Sequence, residues 1–376
     1  MRSPWRSPEK RRRAGPVSAA IVLTTALSLN AGSVVAADIS LTELGPTLAI
    51  DPTQVSVSGV SSGGFMAHQF HVAYAAGVIG AGVIAGGPYD CAGERSSLTW
   101  FDPTGLFASL YVCSALNPLG LFLGPPDVKR ALGRVRSEAE AGRIDDPANL
   151  ARARAYLFSG ANDRKVPGPV VASLEQFYRA FMEPGAVYFE QHPVANHAMI
   201  TENFGNACAA AGPPFVNDCD LSAAAALLQQ IYGPEPLQPP AKAIAPALRF
   251  DQRPFFDPAD ASISLHAGGH VYVPAACRQG TRCRLHVAFH GCLQSEDEIG
   301  DAFYAGAGYN EIAESNAIVV LYPQVTAWAD RWLFQYRQNP RGCWDWWGYS
   351  GADYARKSGK QMQAVAAMIA ALTGSK

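Results

Sequence analysis

Charge is scarce in this chain of 376 residues: Asp, Glu, Lys and Arg make up 16% of it, against roughly 25% in ordinary soluble domains. With 48% hydrophobic residues, that scarcity excludes a disordered chain and a coiled coil, and it implies a large interior. There is no internal repeat and no low-complexity tail, which excludes a solenoid. No CxxC pair occurs among the eight cysteines, so a structural zinc site has no sulfur framework. Nor is there a clean membrane span. The apolar stretch from Val17 to Val35 is diluted by Ser28, Asn30, Gly32 and Ser33, where a span needs about 20 apolar residues.

What stands at the start is an export signal. Lys10 to Arg13 form a basic segment, the apolar stretch follows, and Val35-Ala36-Ala37 reads as a small-residue cleavage site before Asp38. Residues 1–37 are therefore expected to be a signal peptide and 38–376 a single catalytic domain, secreted to the periplasm or the medium. Once that segment is removed, 24 basic residues face 31 acidic ones, a net charge of −7. Nucleic acid is excluded as a partner, and the mature chain should not insert stably in a membrane. All eight cysteines follow the cleavage site, an even number bound for an oxidising compartment. The expected pairs are Cys208 with Cys219, Cys277 with Cys283, Cys91 with Cys113 and Cys292 with Cys343, a set that spacing alone leaves open.

Short β-rich runs alternate with helical patterns. Strands are expected at Gln54–Ser58, Val78–Ala85, Ala155–Ser159, Val187–Glu190, Val271–Pro274, Leu285–Phe289 and Ala317–Tyr322. Helices are expected at Phe65–Ala75, within Asp127–Arg154, at Val170–Met182, at Glu296–Ser315 and at Tyr354–Leu372. Met362, Val365, Ile369 and Leu372 share one face of the last helix and read as core. Seven prolines between Gly233 and Pro258 suggest an irregular surface connection. The fold class is α/β, with a mostly parallel central sheet flanked by helices.

The sharpest motif is Gly59-Val60-Ser61-Ser62-Gly63, a G-x-S-x-G between a strand and a helix. Such a turn projects a serine hydroxyl out of the sheet, and small neighbours let strand and helix approach closely. A nucleophilic serine needs a base and an orienting carboxylate. Asp163, directly after the Ala155–Ser159 strand, fits the acid. His197, in a loop that follows the next strand with some slack and enters a helix, fits the base better than His192, which stands beside Pro193. Ser62 N–H and the loop His290-Gly291-Cys292 would supply the oxyanion donors, with the Cys292 amide as the second. His68 and His71 are read as packed or solvent-facing. No metal or other cofactor is called for.

The His-Gly element follows the nucleophile by more than two hundred residues, whereas in most α/β-hydrolases it precedes it. A circular permutation explains the order, with the last helix leading towards the nucleophile strand and 233–258 joining the former ends. The segments Ser58–Met66, Gly160–Pro167, Asn196-His197, His290–Gln294 and Cys343–Gly348 together resemble the poly(3-hydroxybutyrate) depolymerases, in the subgroup whose serine precedes the oxyanion cysteine. The resemblance implies a circularly permuted α/β-hydrolase, a Ser61–Asp163–His197 triad, and hydrolysis of a polyhydroxyalkanoate polyester by a monomer. Trp346, Trp347 and Tyr349, in a Trp-rich segment, are the expected substrate-contacting rings. A secreted carboxylesterase for small or aromatic esters, and a non-catalytic polymer-binding protein on a hydrolase scaffold, are the competing readings.

Overall fold

The computed structural model describes residues 38–95, 113–114, 125–328 and 338–375; the expected signal peptide lies outside them. Eleven strands occur among the described residues: β1 Ile50–Val60, β2 Val78–Ile84, β3 Arg154–Gly160, β4 Val187–His192, β5 Met199–Thr201, β6 Asn206–Ala207, β7 Val216–Asp218, β8 Leu248–Asp251, β9 Gly268–Tyr272, β10 Cys283–Phe289 and β11 Ile318–Tyr322. The longer helices are α1 Ser62–Ala73, α2 Val128–Glu140, α3 Gly168–Arg179, α4 Ala223–Tyr232, α5 Tyr309–Asn316 and α6 Lys360–Thr373.

Eight strands form one sheet in the order β4-β3-β2-β1-β10-β11-β9-β8, and β5-β7-β6 form a small second one. From β4 to β11 every pairing is parallel; only β9 and β8, at one edge, run antiparallel to their neighbours. The central strands are rich in Val, Ile and Leu and buried along nearly their whole length, as strands covered on both faces must be. Successive residues of β2 show the covering. Beside Gly82, Leu227 of α4 fills the space where a Cβ would stand; next along, Val83 reaches Gly64 of α1, so the two helices lie on opposite faces.

Four details depart from the sequence reading. The helix expected over 296–315 is two pieces, Glu296–Ile299 and α5, because Gly300 and Gly308 take φ of 61° and 84° and interrupt it. The Pro-rich segment is not wholly irregular, since β8 lies inside it and pairs with β9. The last helix starts at Lys360 rather than Tyr354, after turns ending at Gly359. Of its four expected core residues, Met362, Val365 and Leu372 are buried and Ile369 only partly. Asp38–Lys376 forms one compact unit. No helix among the described residues is long and apolar enough to cross a membrane.

All four disulfides join the pairs expected: Cys91–Cys113, Cys208–Cys219, Cys277–Cys283 and Cys292–Cys343. They leave no free cysteine among the described residues. The one cluster with metal-ligand spacing there, His192 with Cys208 and Cys219, has both sulfurs committed to a disulfide.

Candidate active site

Strand β1 delivers Ser61 to a sharp turn. Its φ of 58° and ψ of −123° are strained for a residue with a Cβ, and its N–H donates to Ile84 O at 2.9 Å while its carbonyl accepts the Phe65 N–H from the helix's first turn at 3.0 Å. The flanking glycines are required by contact. A Cβ at Gly59 would stand 2.2 Å from Gly63 O, and one at Gly63 would stand 2.3 Å from Phe289 O and 2.4 Å from His290 O. The G-x-S-x-G spacing thus lets β1, α1 and the end of β10 meet backbone to backbone.

The serine faces a complete relay. Ser61 Oγ lies 2.8 Å from His197 Nε2, and His197 Nδ1 lies 2.7 Å from Asp163 Oδ2. The other carboxylate oxygen, Oδ1, accepts the N–H groups of Lys165 at 2.8 Å and Val166 at 2.9 Å, so Asp163 is an acceptor at both oxygens. Nδ1 must then be the protonated ring nitrogen, leaving Nε2 to accept the serine proton. Asp163 and His197 are both buried, 5% and 6% exposed, in a site that strengthens such charge-assisted bonds.

Both loops are held from behind. Asp163 follows β3 and His197 follows β4, and the loops press together where a Cβ on Gly160 would stand 2.2 Å from Ala195 O. The His197 N–H donates to Asn196 Oδ1 at 2.8 Å, and Asn196 Nδ2 donates to Ala209 O at 3.0 Å, next to the Cys208–Cys219 disulfide. The loop leads into β5, not into the helix expected from sequence. His192, the rejected base, instead caps the preceding turn, accepting from Ala195 N at 3.0 Å.

On the other side stands His290-Gly291-Cys292. His290 is buried, which pushes its pKa down to about 4; Nδ1 bonds Gly291 O at 2.7 Å and Nε2 accepts from Val325 N at 3.2 Å. As a neutral imidazole it is a strut. A Cβ on Gly291 would stand 3.2 Å from Ser61 Cβ, so the loop lies directly against Ser61. Among the described residues neither Ser62 N–H nor Cys292 N–H donates to a protein acceptor, and Ser62 N–H belongs to the open first turn of α1. Sequence reasoning missed Gln294. This buried side chain accepts the Gly291 N–H at 2.7 Å and donates to Pro214 O at 3.1 Å and Phe215 O at 2.9 Å.

The Trp-rich segment is built on another residue that sequence reasoning passed over. Asp345 Oδ1 accepts N–H groups from Trp347, Gly348 and Tyr349, and Oδ2 accepts both donors of Ser350. Burial raises its pKa against those bonds. A lone Asp followed by aromatic residues and Gly is a turn signal that could have revealed it. The segment is tied to the His290-Gly291-Cys292 loop by the Cys292–Cys343 bond and to the Ser61 turn by Trp344 N–H donating to Ser62 Oγ at 3.3 Å.

One expected contact residue is corrected. Tyr349 is fully buried, its hydroxyl bonded to Cys343 O at 2.7 Å and to Gln361 Nε2 at 2.8 Å, so it presents no ring to a substrate. Trp346 and Trp347 keep a narrow exposed edge, 9% and 8%. Trp346 stacks on Phe65 of α1 with ring centroids 4.3 Å apart. His68 and His71 are buried and share the Tyr178 hydroxyl, at 2.8 and 3.0 Å, leaving no role at the site.

Comparison with known proteins adds the kinship. No family model matches the chain. It is 39% identical over 330 residues to a poly(3-hydroxybutyrate) depolymerase of Delftia acidovorans, covering 86% of this chain but only 60% of that relative's length. It is 33% identical over 343 residues to a polyhydroxybutyrate depolymerase of Talaromyces funiculosus, covering 89% of this chain and 93% of the relative. Two solved structures superpose with a TM-score of 0.74 at 30% identity, covering 87% of this chain and 98% of theirs. One is a PHB depolymerase from Penicillium funiculosum; the other is a serine-to-alanine variant of a PHB depolymerase complexed with an R3HB trimer. Sharing a third of its residues with a relative matched almost end to end, this chain belongs to the poly(3-hydroxybutyrate) depolymerase family.

Proposed function

We propose that the chain is a secreted serine esterase that hydrolyses poly(3-hydroxybutyrate), or a related polyhydroxyalkanoate, through an acyl-enzyme. The observation that carries the reading is the unbroken Ser61–His197–Asp163 hydrogen-bond relay in a member of this family. In this account His197 Nε2 takes the Ser61 proton as Oγ attacks an ester carbonyl. The oxyanion is held by the Ser62 and Cys292 N–H groups, helped by the positive end of α1. The carbon–oxygen ester bond breaks, the alcohol departs with the proton from His197, and water repeats the sequence to free the acid. Asp163 holds the imidazole in the needed tautomer. Trp346 and Trp347 would offer their exposed edges to the polyester chain. No step requires a cofactor.

The same proposal covers the chain's history and destination. The strand order places β8, β9, β11 and β10 on one side of the nucleophile strand and β2, β3 and β4 on the other. A permutation accounts for that order. The backbone of α6 packs on the residues just before β1, where a Cβ on Gly45 would stand 2.0 Å from Ala371 O. Joining the present ends would therefore bring β11 and α6 directly before β1. Residues 1–37 are read as the signal peptide of a 38–376 catalytic domain acting as a monomer, which N-terminal sequencing of the exported protein would check.

The test is to incubate the mature protein, and its Ser61→Ala variant, with amorphous poly(3-hydroxybutyrate) granules and measure released acid by mass spectrometry. Release that depends on Ser61 supports the proposal. Hydrolysis of p-nitrophenyl butyrate without release from granules would move the function to small esters. Neither activity would leave a binding protein on a hydrolase scaffold.

A further inference from the structure

The Cys292 N–H, the second oxyanion donor in the reading above, shares its peptide with the Gly291 carbonyl, and that peptide is trans. In a trans peptide the carbonyl and the N–H point in opposite directions, so holding one aims the other. His290 Nδ1 bonds the Gly291 carbonyl at 2.7 Å in the interior, while the Cys292 N–H has no protein acceptor among the described residues. The partners of the imidazole fix its tautomer. Val325 N–H can only donate and meets Nε2 at 3.2 Å; Gly291 O can only accept and meets Nδ1. His290 is therefore neutral with its proton on Nδ1, a state that burial also favours. The ring is fully buried beside Phe303 and Trp344, with centroids 6.1 and 6.0 Å away. Val325 lies just beyond β11, so the imidazole ties this peptide to the end of the central sheet. Gln294 takes the Gly291 N–H, in the peptide before. Two successive peptides are thus each held by one side chain.

We propose that His290 is a positioning residue for the oxyanion hole: by holding the Gly291 carbonyl it turns the Cys292 N–H towards the developing anion. This rests on the esterase reading above. Glycine at 291 makes rotation of the following peptide cheap, and a rotated peptide would present its carbonyl, an electron-rich oxygen, where the donor is needed. As Ser61 Oγ bonds the ester carbon, its proton passes to His197 and the carbonyl π pair moves onto oxygen, the atom that the aimed N–H meets. The ground-state carbonyl carries less charge there, so the aim of the N–H bears on kcat far more than on KM.

The test separates the two ring nitrogens. Asparagine carries its amide nitrogen as far from Cβ as Nδ1 is, so His290→Asn can still donate to Gly291 O while losing Val325. Glutamine reaches as far as Nε2, so His290→Gln can still accept from Val325 N–H while losing Gly291 O. His290→Phe keeps a ring and makes neither bond. In p-nitrophenyl butyrate hydrolysis, kcat should fall about 10- to 100-fold in the Gln and Phe variants with KM within about twofold, below the ceiling of about 10² to 10³ for a lost donor. His290→Asn should recover kcat to within about fivefold of wild type. Affinity for a trifluoromethyl ketone, which adds to Ser61 and bears the oxyanion, should follow kcat across the series. Packing alone predicts the opposite order, because asparagine leaves the largest cavity and should give the lowest Tm. Folded Gln or Phe variants with wild-type kcat, or an Asn variant as slow as Phe, overturn the positioning role. A wild type that hydrolyses no ester would instead show that the esterase reading had failed, and the positioning role with it.

Discussion

Replacing Gln294 with Leu tests whether the oxyanion loop is held from behind. The side chain is 2% exposed, and its amide makes three bonds to backbone: it accepts from Gly291 N at 2.7 Å and donates to the Pro214 and Phe215 carbonyls at 3.1 and 2.9 Å. Leucine has nearly the same shape and can make none of them. Each bond is worth about 1 kcal/mol net, and a buried backbone group left unpaired costs about 1–3 kcal/mol. The sum is about 3–5 kcal/mol, allowing for partial rehydration, or a fall in Tm of about 4–7 °C in a chain of this size. The kinetic effect has a different origin. Gly291 precedes the Cys292 amide and lies against the Ser61 side chain, so a displaced loop misplaces one of the two proposed oxyanion donors. Losing such a donor lowers kcat by about 10² to 10³, which bounds the effect from above. With the Cys292–Cys343 bond intact, a fall of about 10- to 100-fold in kcat is expected, with KM for p-nitrophenyl butyrate little changed. Assays run well below the variant's Tm separate the two effects. A variant with kcat within twofold of wild type would refute the bracing role.

Asp163→Asn should keep the loop folded but spoil the histidine tautomer, lowering kcat by on the order of 10⁴ in the same ester assay. Removing both Cys292 and Cys343, as alanines, opens a loop with a sequence separation of 51, and denaturant melts should show a loss of about 4 kcal/mol together with a fall in kcat. Stability should also depend on pH through the Glu296 cluster. Glu296 receives His266 Nδ1 at 3.0 Å, His270 Nε2 at 2.5 Å and Arg249 at 3.2 Å; Arg249 also pairs with Asp38, and Asp297 faces His266. Burial raises the Glu296 pKa, but the bonds from His266 and His270 outweigh it and leave the carboxyl well below its usual range. The bond to Glu296 raises the His266 pKa against burial. The Glu296 contribution is present above about pH 4.5 and fades as pH falls towards its lowered folded value; the His266 contribution is present below about pH 6.5 and fades as pH rises through its raised one. Tm should therefore be highest between those limits, and Glu296→Gln should flatten both slopes; identical profiles for variant and wild type would exclude the cluster as their source.

Legibility from sequence followed the range of the interactions. The elbow at Ser61 and the strands around it were readable because local pattern decides them: a buried β-branched run, small residues at the crossing, then a helix. The positions of Asp163 and His197 were readable because each follows a sheet strand at the same end. Tyr349 was misread because its neighbours are tryptophans, while the partners that bury it, Gln361 and Cys343 O, are set by tertiary packing. Gln294 was passed over for the same reason, since its carbonyl acceptors lie some 80 residues away in sequence. The break at Gly300 and Gly308 has a local cause: helical periodicity runs through 296–315, but both glycines take positive φ, which ends the helix. Short β8 was hidden between Pro246 and Pro254, where composition argued for a loop.

The central claim is that Ser61 carries the acyl group. The most direct measurement is to quench the wild-type enzyme during steady turnover of 3-hydroxybutyrate trimer, digest it, and locate any adduct by mass spectrometry. The account predicts a 3-hydroxyacyl ester on the peptide containing Ser61, and none in Ser61→Ala. Continued turnover in the alanine variant, or an adduct on another residue, would contradict it.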